Sequence, residues 1–217
     1  MRIGALLIVG CLALGWAGPA VAAKAKLVPS FLNSREARNE NLKPFPKWTG
    51  MLQRFFEERG KVPGDCKATT FNKCHWQKWQ ALVEELKGKP LDEQLKAVNR
   101  RMNVARYIVD PINWGVKDYW ATPGEFFRKD GDCEDYAIAK YLTLQRLGVD
   151  TSTMRIVVLQ DLNLRAAHAV LSVQVGDEVL ILDNQIKTVI NAKKIRHYRP
   201  IFSINEKAWW LHKAVKR

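Results

Sequence analysis

The sequence predicts an α+β domain, with helices first and an antiparallel β-sheet after them. Three observations carry this reading. Apolar residues recur at helical spacing as far as Leu144, and then the pattern changes to alternation and β-branched residues from Ile156 onward. Helix punctuation (Pro90, the Asp110-Pro111 pair, Gly148) falls where the periodic runs stop. Helices followed by strands, rather than alternating with them, mark an α+β architecture.

The chain of 217 residues opens on Met1-Arg2-Ile3 and then runs apolar from Ala5 to about Val21. With the small residues Ala20-Val21-Ala22-Ala23, this has the three regions of a secretory signal peptide, read as residues 1–23. A lipoprotein reading at Cys11 is disfavoured, because the apolar stretch before it is too short. Residues 24–46 are polar and interrupted by Pro29, Pro44 and Pro46, so they read as an irregular lead-in. Residues 47–217 then form one domain, expected to be exported and not inserted in the membrane, since no later segment has the length of apolar chain that spanning needs.

Trp48 to Arg59 and Trp76 to Leu86 read as amphipathic helices. A third runs from Leu91 to about Val109, with Leu91, Leu95, Val98, Met102 and Ala105 on one face. Residues 111–131 read as an aromatic loop. A fourth helix starts at Asp132 or Cys133 and ends at the cap position Gly148. Ile156 to Leu159, His168 to Val175 and Val179 to Leu182 read as strands, with weaker candidates at Val189-Ile190 and Tyr198 to Ile204.

The formal net charge is +13, and from Lys187 to Arg217 only Glu206 is acidic. Such an end suits an acidic protein or an anionic surface, or is simply solvated. Export argues against nucleic acid as partner. The cysteines say more. Cys11 leaves with the signal, and the remaining Cys66, Cys74 and Cys133 are an odd number in an oxidising compartment. Cys66 and Cys74 lie close enough for a short-loop disulfide, which leaves Cys133 as the free thiol.

Cys133 sits at a helix start, where backbone N–H groups favour a thiolate. A thiolate nucleophile needs a base and a group that orients the base. If Gly176-Asp177 is a two-residue turn, Val175 pairs with Glu178 and Asp183 falls opposite Val170. His168, two residues along, then shares a face with Asp183 as its diagonal neighbour. A slip of one residue would separate them. Each residue alone has a bland reading: a core cysteine, a structural histidine, a turn aspartate. Their joint occurrence points to catalysis.

The blocks Gly131-Asp132-Cys133-Glu134-Asp135-Tyr136-Ala137, Ala167-His168-Ala169-Val170-Leu171 and Leu182-Asp183-Asn184-Gln185 resemble the bacterial transglutaminase-like cysteine proteases over roughly residues 45–205. The resemblance implies a papain/transglutaminase-like fold, in which N-terminal helices and a nucleophile-bearing helix pack on an antiparallel sheet. It implies Cys133 as nucleophile, His168 as base and Asp183 as the group orienting it. The Cys133 N–H would form part of an oxyanion hole, with Trp114, Tyr119 and Trp120 as candidates for the second donor. Acids flanking the cysteine bind Ca²⁺ in the family, and they map onto Asp132, Glu134 and Asp135. The family's adhesin-releasing members act in the periplasm on large repeat adhesins, cut near a dialanine site, and thereby disperse biofilm. They are held by the periplasmic domain of an inner-membrane cyclic-di-GMP receptor. Two other readings remain: a transglutaminase or amidase using the same three residues, and a non-catalytic exported binding module.

Overall fold

The computed structural model describes Leu32 and residues 34–61, 63–67 and 73–214; the signal peptide lies outside them. The chain forms β1 (Ser34–Asn39), α1 (Pro46–Glu57), α2 (Lys73–Leu86), α3 (Leu91–Met102), α4 (Asp110–Asn113), α5 (Pro123–Lys129) and α6 (Cys133–Arg146). The strands β2 (Met154–Asp161), β3 (Ala166–Val175), β4 (Glu178–Leu182), β5 (Ile190–Asn191), β6 (Tyr198–Ile204) and β7 (Trp209–Ala214) follow. All seven strands join one sheet in the order β1-β7-β6-β2-β3-β4-β5, every neighbouring pair antiparallel. The expected α+β class, helices on an antiparallel sheet, is what the chain adopts.

Helix α6, which begins at Cys133, is the axis of the molecule. From Asp135 to Leu144 every residue of α6 is buried, because α3 and α5 cover one side and β2 and β3 the other. A helix buried all round has no polar face, and Ala137, Ile138, Ala139, Tyr141 and Leu142 supply apolar surface in all directions. Trp48 of α1 meets Tyr141 edge-on, with ring centroids 5.7 Å apart. Trp79 of α2 is fully buried and donates its indole N–H to Thr143 Oγ1 at 2.8 Å. Met154, Ile156, Leu171, Val173, Leu182 and Ile204 carry the sheet into this core. Val157, Leu159, Val170, Ile181 and Tyr198 form a second cluster with Ala192 and Ile195. α6 ends as expected at Gly148, with φ 91°, where the Gly148 and Val149 N–H groups close back on Gln145 O and Leu144 O, each at 3.0 Å.

The structure corrects four sequence expectations. The lead-in 24–46 is not irregular throughout, since residues 34–39 are β1 and complete the sheet. This strand is polar and has no alternating apolar face. It is held by its partners instead: Glu36 pairs with Arg155 at 2.7 Å, and Ser34 meets His212 Nδ1 at 2.7 Å. Its partner β7 was likewise not expected. The third helix stops at Met102, not near Val109, and the chain from Asn103 turns away so that Tyr107 bridges Gly131. Residues 111–131 contain two short helices; Thr122 and Glu125 form a capping box that starts α5 at Pro123. Cys66 and Cys74 are disulfide-bonded, with Cα atoms 5.2 Å apart, and Cys133 is free. No helix among the described residues is long and apolar enough to cross a membrane.

One core residue is unexpected. Lys140, on α6, is 0 % exposed and its amine has no hydrogen-bond partner. Burial drives its pKa down to about 7, against the field of Asp183. A depressed lysine pKa costs stability wherever the unfolded chain would keep the proton. Lys140→Met, similar in volume, is therefore expected to raise the thermal midpoint. The gain should be largest at and below pH 7 and should shrink as pH rises toward the unfolded lysine pKa; a constant or growing gain in pH-resolved melting would contradict this.

Candidate active site

The site begins at a tight approach of backbone to side chain. Asp130 takes φ 63°, ψ −160°, a conformation rare for any residue but glycine, and the chain then enters α6 through Gly131 and the N-cap Asp132. Asp135, 0 % exposed, turns its carboxylate back over this entry. Its Oδ2 accepts the Asp132 N–H at 3.3 Å and its Oδ1 accepts the Ala121 N–H at 2.7 Å. A Cβ on Gly131 would lie 2.6 Å from the Asp135 Cβ, so only glycine admits this packing. Asp135 thus ties the helix start to the segment preceding α5.

Cys133 is the first residue of α6. Its thiol donates to Glu134 Oε2 at 3.1 Å, and the helix it opens packs against β3. Burial pushes the thiol pKa far up, and the charges of Glu134 and Asp132 push it further. The helix N-terminus alone does not overcome this. As placed, the thiol keeps its proton until those charges are neutralised.

The β3–β4 hairpin has the expected register: Gly176 turns with φ 59°, Val175 pairs with Glu178 and Leu171 with Leu182. His168 Nε2 stands 3.0 Å from Asp183 Oδ1, with both residues buried. The carboxylate can only accept here, so Nε2 carries the hydrogen and Nδ1 is the basic nitrogen, with Gln185 Nε2 no nearer to it than 3.5 Å. Burial would raise the Asp183 pKa, but His168, the Tyr198 hydroxyl at 2.5 Å and the Gln185 N–H at 2.8 Å outweigh it and hold the carboxyl below its usual range. Asn103, just past α3, donates to the Asp183 carbonyl at 2.7 Å. The hairpin and the helix that Cys133 opens therefore meet, because β3 packs directly against α6.

Of the oxyanion candidates, Tyr119 has both donors engaged, its N–H by Asp110 Oδ2 at 2.5 Å and its hydroxyl by Glu125 at 2.8 Å. Trp114 stacks on it at 4.4 Å, and its buried indole N–H has no partner. Trp120 is buried, and its carbonyl accepts from Arg54 at 2.6 Å.

The acids form a larger cluster than Asp132, Glu134 and Asp135. Asp110 and Asp118 join them. Ligand atoms lie within 4.8 Å of one another in the groups Asp110–Asp118–Glu134, Asp110–Asp132–Asp135 and Asp132–Cys133–Glu134. Asp132 Oδ1 and Asp110 Oδ1 are buried without a hydrogen-bond partner. Burial raises the pKa of Asp132 to about 8 and of Asp110 to about 6, and raises those of Glu134 and Asp135 as well. So many desolvated carboxylates with unused oxygens suit a hard divalent cation. The sequence reading missed Asp110, which it took only as the end of a helix before Pro111, and Asp118, which lay in the supposed loop.

Comparison with known proteins agrees with this geometry. Residues 64–213 match the model of the bacterial transglutaminase-like cysteine proteinases, BTLCP. The chain belongs to this family. Among solved structures it is similar to LapG of Legionella pneumophila, at 34% identity and a TM-score of 0.59, covering 74% of this chain and 87% of that one. The calcium-bound and EGTA-treated forms of the same protein match at 34% identity, with TM-scores of 0.59 and 0.60. They cover 75% and 76% of this chain and 86% of theirs. No curated protein matches. The α+β fold is thus the transglutaminase-like cysteine protease fold, and the chain is a cysteine protease by family.

The acid cluster makes a stability prediction. Carboxylates whose folded pKa lies above the unfolded value stabilise at low pH, and that contribution is lost as pH rises through the folded value. In chelator, the thermal midpoint is expected to fall as pH rises from about 4 to about 8, the window set by Asp110 and Asp132. Saturating Ca²⁺ should suppress the fall. Parallel melting curves with and without the ion would show that the cluster binds no cation.

Proposed function

We propose that the protein is a calcium-dependent periplasmic cysteine endopeptidase with the triad Cys133, His168 and Asp183. The observation that carries this reading is the buried His168–Asp183 hydrogen bond on a hairpin whose strand β3 packs against α6, the helix that Cys133 opens. Asp183 fixes the imidazole with Nε2 toward itself, leaving Nδ1 to take the thiol proton. The thiolate adds to a peptide carbonyl, and His168 returns the proton to the leaving amine. Water activated by the same nitrogen then hydrolyses the thioester. The Cys133 N–H, free at a helix start, points to the developing oxyanion.

Asp132, Glu134 and Asp135, with Asp110 and Asp118, would hold Ca²⁺, and the similar LapG structure in calcium-bound form supports this. The ion supplies positive charge among acids that otherwise oppose thiolate formation, so it is an electrostatic partner of the nucleophile. The substrate follows from the resemblance to the family's adhesin-releasing members: the N-terminal region of a large repeat adhesin, freed from the surface to disperse biofilm. Control by sequestration on the periplasmic domain of a cyclic-di-GMP receptor has the same basis.

The test incubates residues 24–217 with an N-terminal adhesin fragment containing a dialanine. One discrete cut is expected in Ca²⁺, abolished by chelator and lowered by about 10⁴-fold or more in Cys133→Ala. Folded protein that leaves the fragment whole in every lane, while joining a primary amine to a glutamine substrate, would replace hydrolysis with amine transfer.

A further inference from the structure

The Asp183 carboxylate has two oxygens, and the fold uses them differently. Oδ1 takes both the His168 Nε2–H at 3.0 Å and the Gln185 N–H at 2.8 Å. Oδ2 accepts from the Tyr198 hydroxyl at 2.5 Å, the one hydrogen bond at that oxygen among the described residues. An ionised carboxylate only accepts, so the phenol is the donor. Burial and the adjacent carboxylate push the Tyr198 pKa far up, which keeps that donor in place. Tyr198 opens β6, fifteen residues beyond Asp183 and outside the three blocks that carry the family resemblance.

Both partners of this bond are held in place. Tyr198 pairs with Asp161 of β2, and the residue before it accepts the Leu162 N–H at 2.8 Å. The Tyr198 ring is buried in the cluster of Leu159, Val170, Ile181 and Ile195, and it meets the His168 ring edge-on at 5.8 Å. The Asp183 main chain is anchored from α3. Asn103, just past that helix, donates to the Asp183 carbonyl at 2.7 Å, and Asn99, one turn earlier, donates to the Lys187 carbonyl at 3.2 Å. With the backbone clamped, the remaining freedom of Asp183 is rotation of its carboxylate. Turning that group would take Oδ2 from the phenol and leave a buried acceptor unpaired, which folded proteins avoid. Oδ1 therefore stays facing His168, and the imidazole keeps its hydrogen on Nε2.

We propose that Tyr198 is a positioning residue for catalysis: through Asp183 Oδ2 it holds the His168 tautomer whose Nδ1 takes the Cys133 proton. The proposal rests on the cysteine-protease reading of Cys133, His168 and Asp183. It gives Tyr198 no contact with substrate. The effect of the hydroxyl must therefore pass through Asp183 and disappear where that carboxylate is gone.

The test joins ¹⁵N spectra of labelled histidine to kinetics, both in Ca²⁺. Tautomers are read in Cys133→Ala, where no thiolate can draw a second proton onto the imidazole. Of the four histidines, His168 is assigned by the signals lost in His168→Asn. A single tautomer with hydrogen on Nε2 is expected; a mixture would overturn the proposal even where Tyr198→Phe failed to fold. Tyr198→Phe keeps the ring and loses the donor. It should produce a mixture of tautomers and lower kcat on the adhesin fragment by about 10- to 10²-fold, with KM unchanged, as expected of one hydrogen bond to a charged group. In the Asp183→Asn background the same change should alter kcat by less than about twofold. Unchanged kcat, an equal loss in both backgrounds, or lost activity with His168 still in one tautomer would each overturn the proposal. An unaltered protein that cuts nothing would instead sink the protease reading and the proposal together.

Discussion

The Asp135 carboxylate is the contact on which the rest of the site depends. It is fully buried one turn into α6, and it joins two backbone N–H groups that no other acceptor serves in the structure, those of Asp132 and Ala121. Removing the acceptor would leave two donors stranded in the interior, each costing about 1–3 kcal/mol. More follows than stability. Ala121 belongs to a strip, Trp120-Ala121-Thr122, whose other groups are bound to Arg54 of α1 and to the buried Glu58 beside it. Asp135 thus connects the N-terminal helices to the residue before Cys133, so that the nucleophile's position is set by the whole helical layer.

The same choice explains why the site is electrostatically costly. Asp135 is needed as an acceptor, Asp132 as an N-cap and Asp110 to receive the Tyr119 N–H. Glu134 and Asp118 lie close by. The basic residues of this region are used elsewhere: Arg106 pairs with Asp130 at 2.9 Å, Lys47 with Asp118, and Arg54 with Glu125 at 3.3 Å. Only the Lys47 pair touches the cluster, at its exposed edge. Fold and nucleophile therefore pull in opposite directions. The acids help begin the helix while raising the thiol pKa, and the cation proposed above would reconcile the two.

What was legible in the sequence follows the range of the forces involved. Helices α1, α2 and α6 and strands β2, β3, β4 and β6 announce themselves because each carries its own apolar period or β-branched run. The pairing of His168 with Asp183 was legible because a two-residue turn at Gly176 fixes the register, and register fixes the face. β1 was not legible, since its polar residues Ser34 and Glu36 are satisfied by His212 and Arg155, more than a hundred residues away. The end of α3 was misread for a related reason. Val104 and Ala105 continue a helical pattern, but Asn103 is drawn to the Asp183 carbonyl, Tyr136 to the Ala105 carbonyl and Ile108 to Gly131. Three tertiary hydrogen bonds outweigh a few tenths of a kcal/mol per residue of helix propensity. Asp110 and Asp118 went unseen as site residues because that unforeseen turn is what delivers them.

That turn also decides how open the nucleophile is. Had α3 continued to Val109, Tyr107 and Asp110 would have been carried along its axis, away from Gly131. Instead the segment leaves Val104, Tyr107, Ile112 and Val116 exposed on the same stretch of chain that supplies Asp110 to the acids. An apolar rim beside a polar, charge-rich centre suits an extended peptide, whose side chains bind at the rim while its backbone meets donors at the centre. It also distinguishes Cys133 from a passive core cysteine. A buried structural thiol is surrounded by apolar side chains on every side, whereas this one donates to the Glu134 carboxylate at 3.1 Å. The oxidising compartment expected of an exported chain would penalise such a thiol unless it served a purpose, and Cys66 and Cys74 are already bonded to each other. The pattern of one closed pair and one attended thiol is therefore a chemical argument for a nucleophile, independent of the family to which the chain belongs.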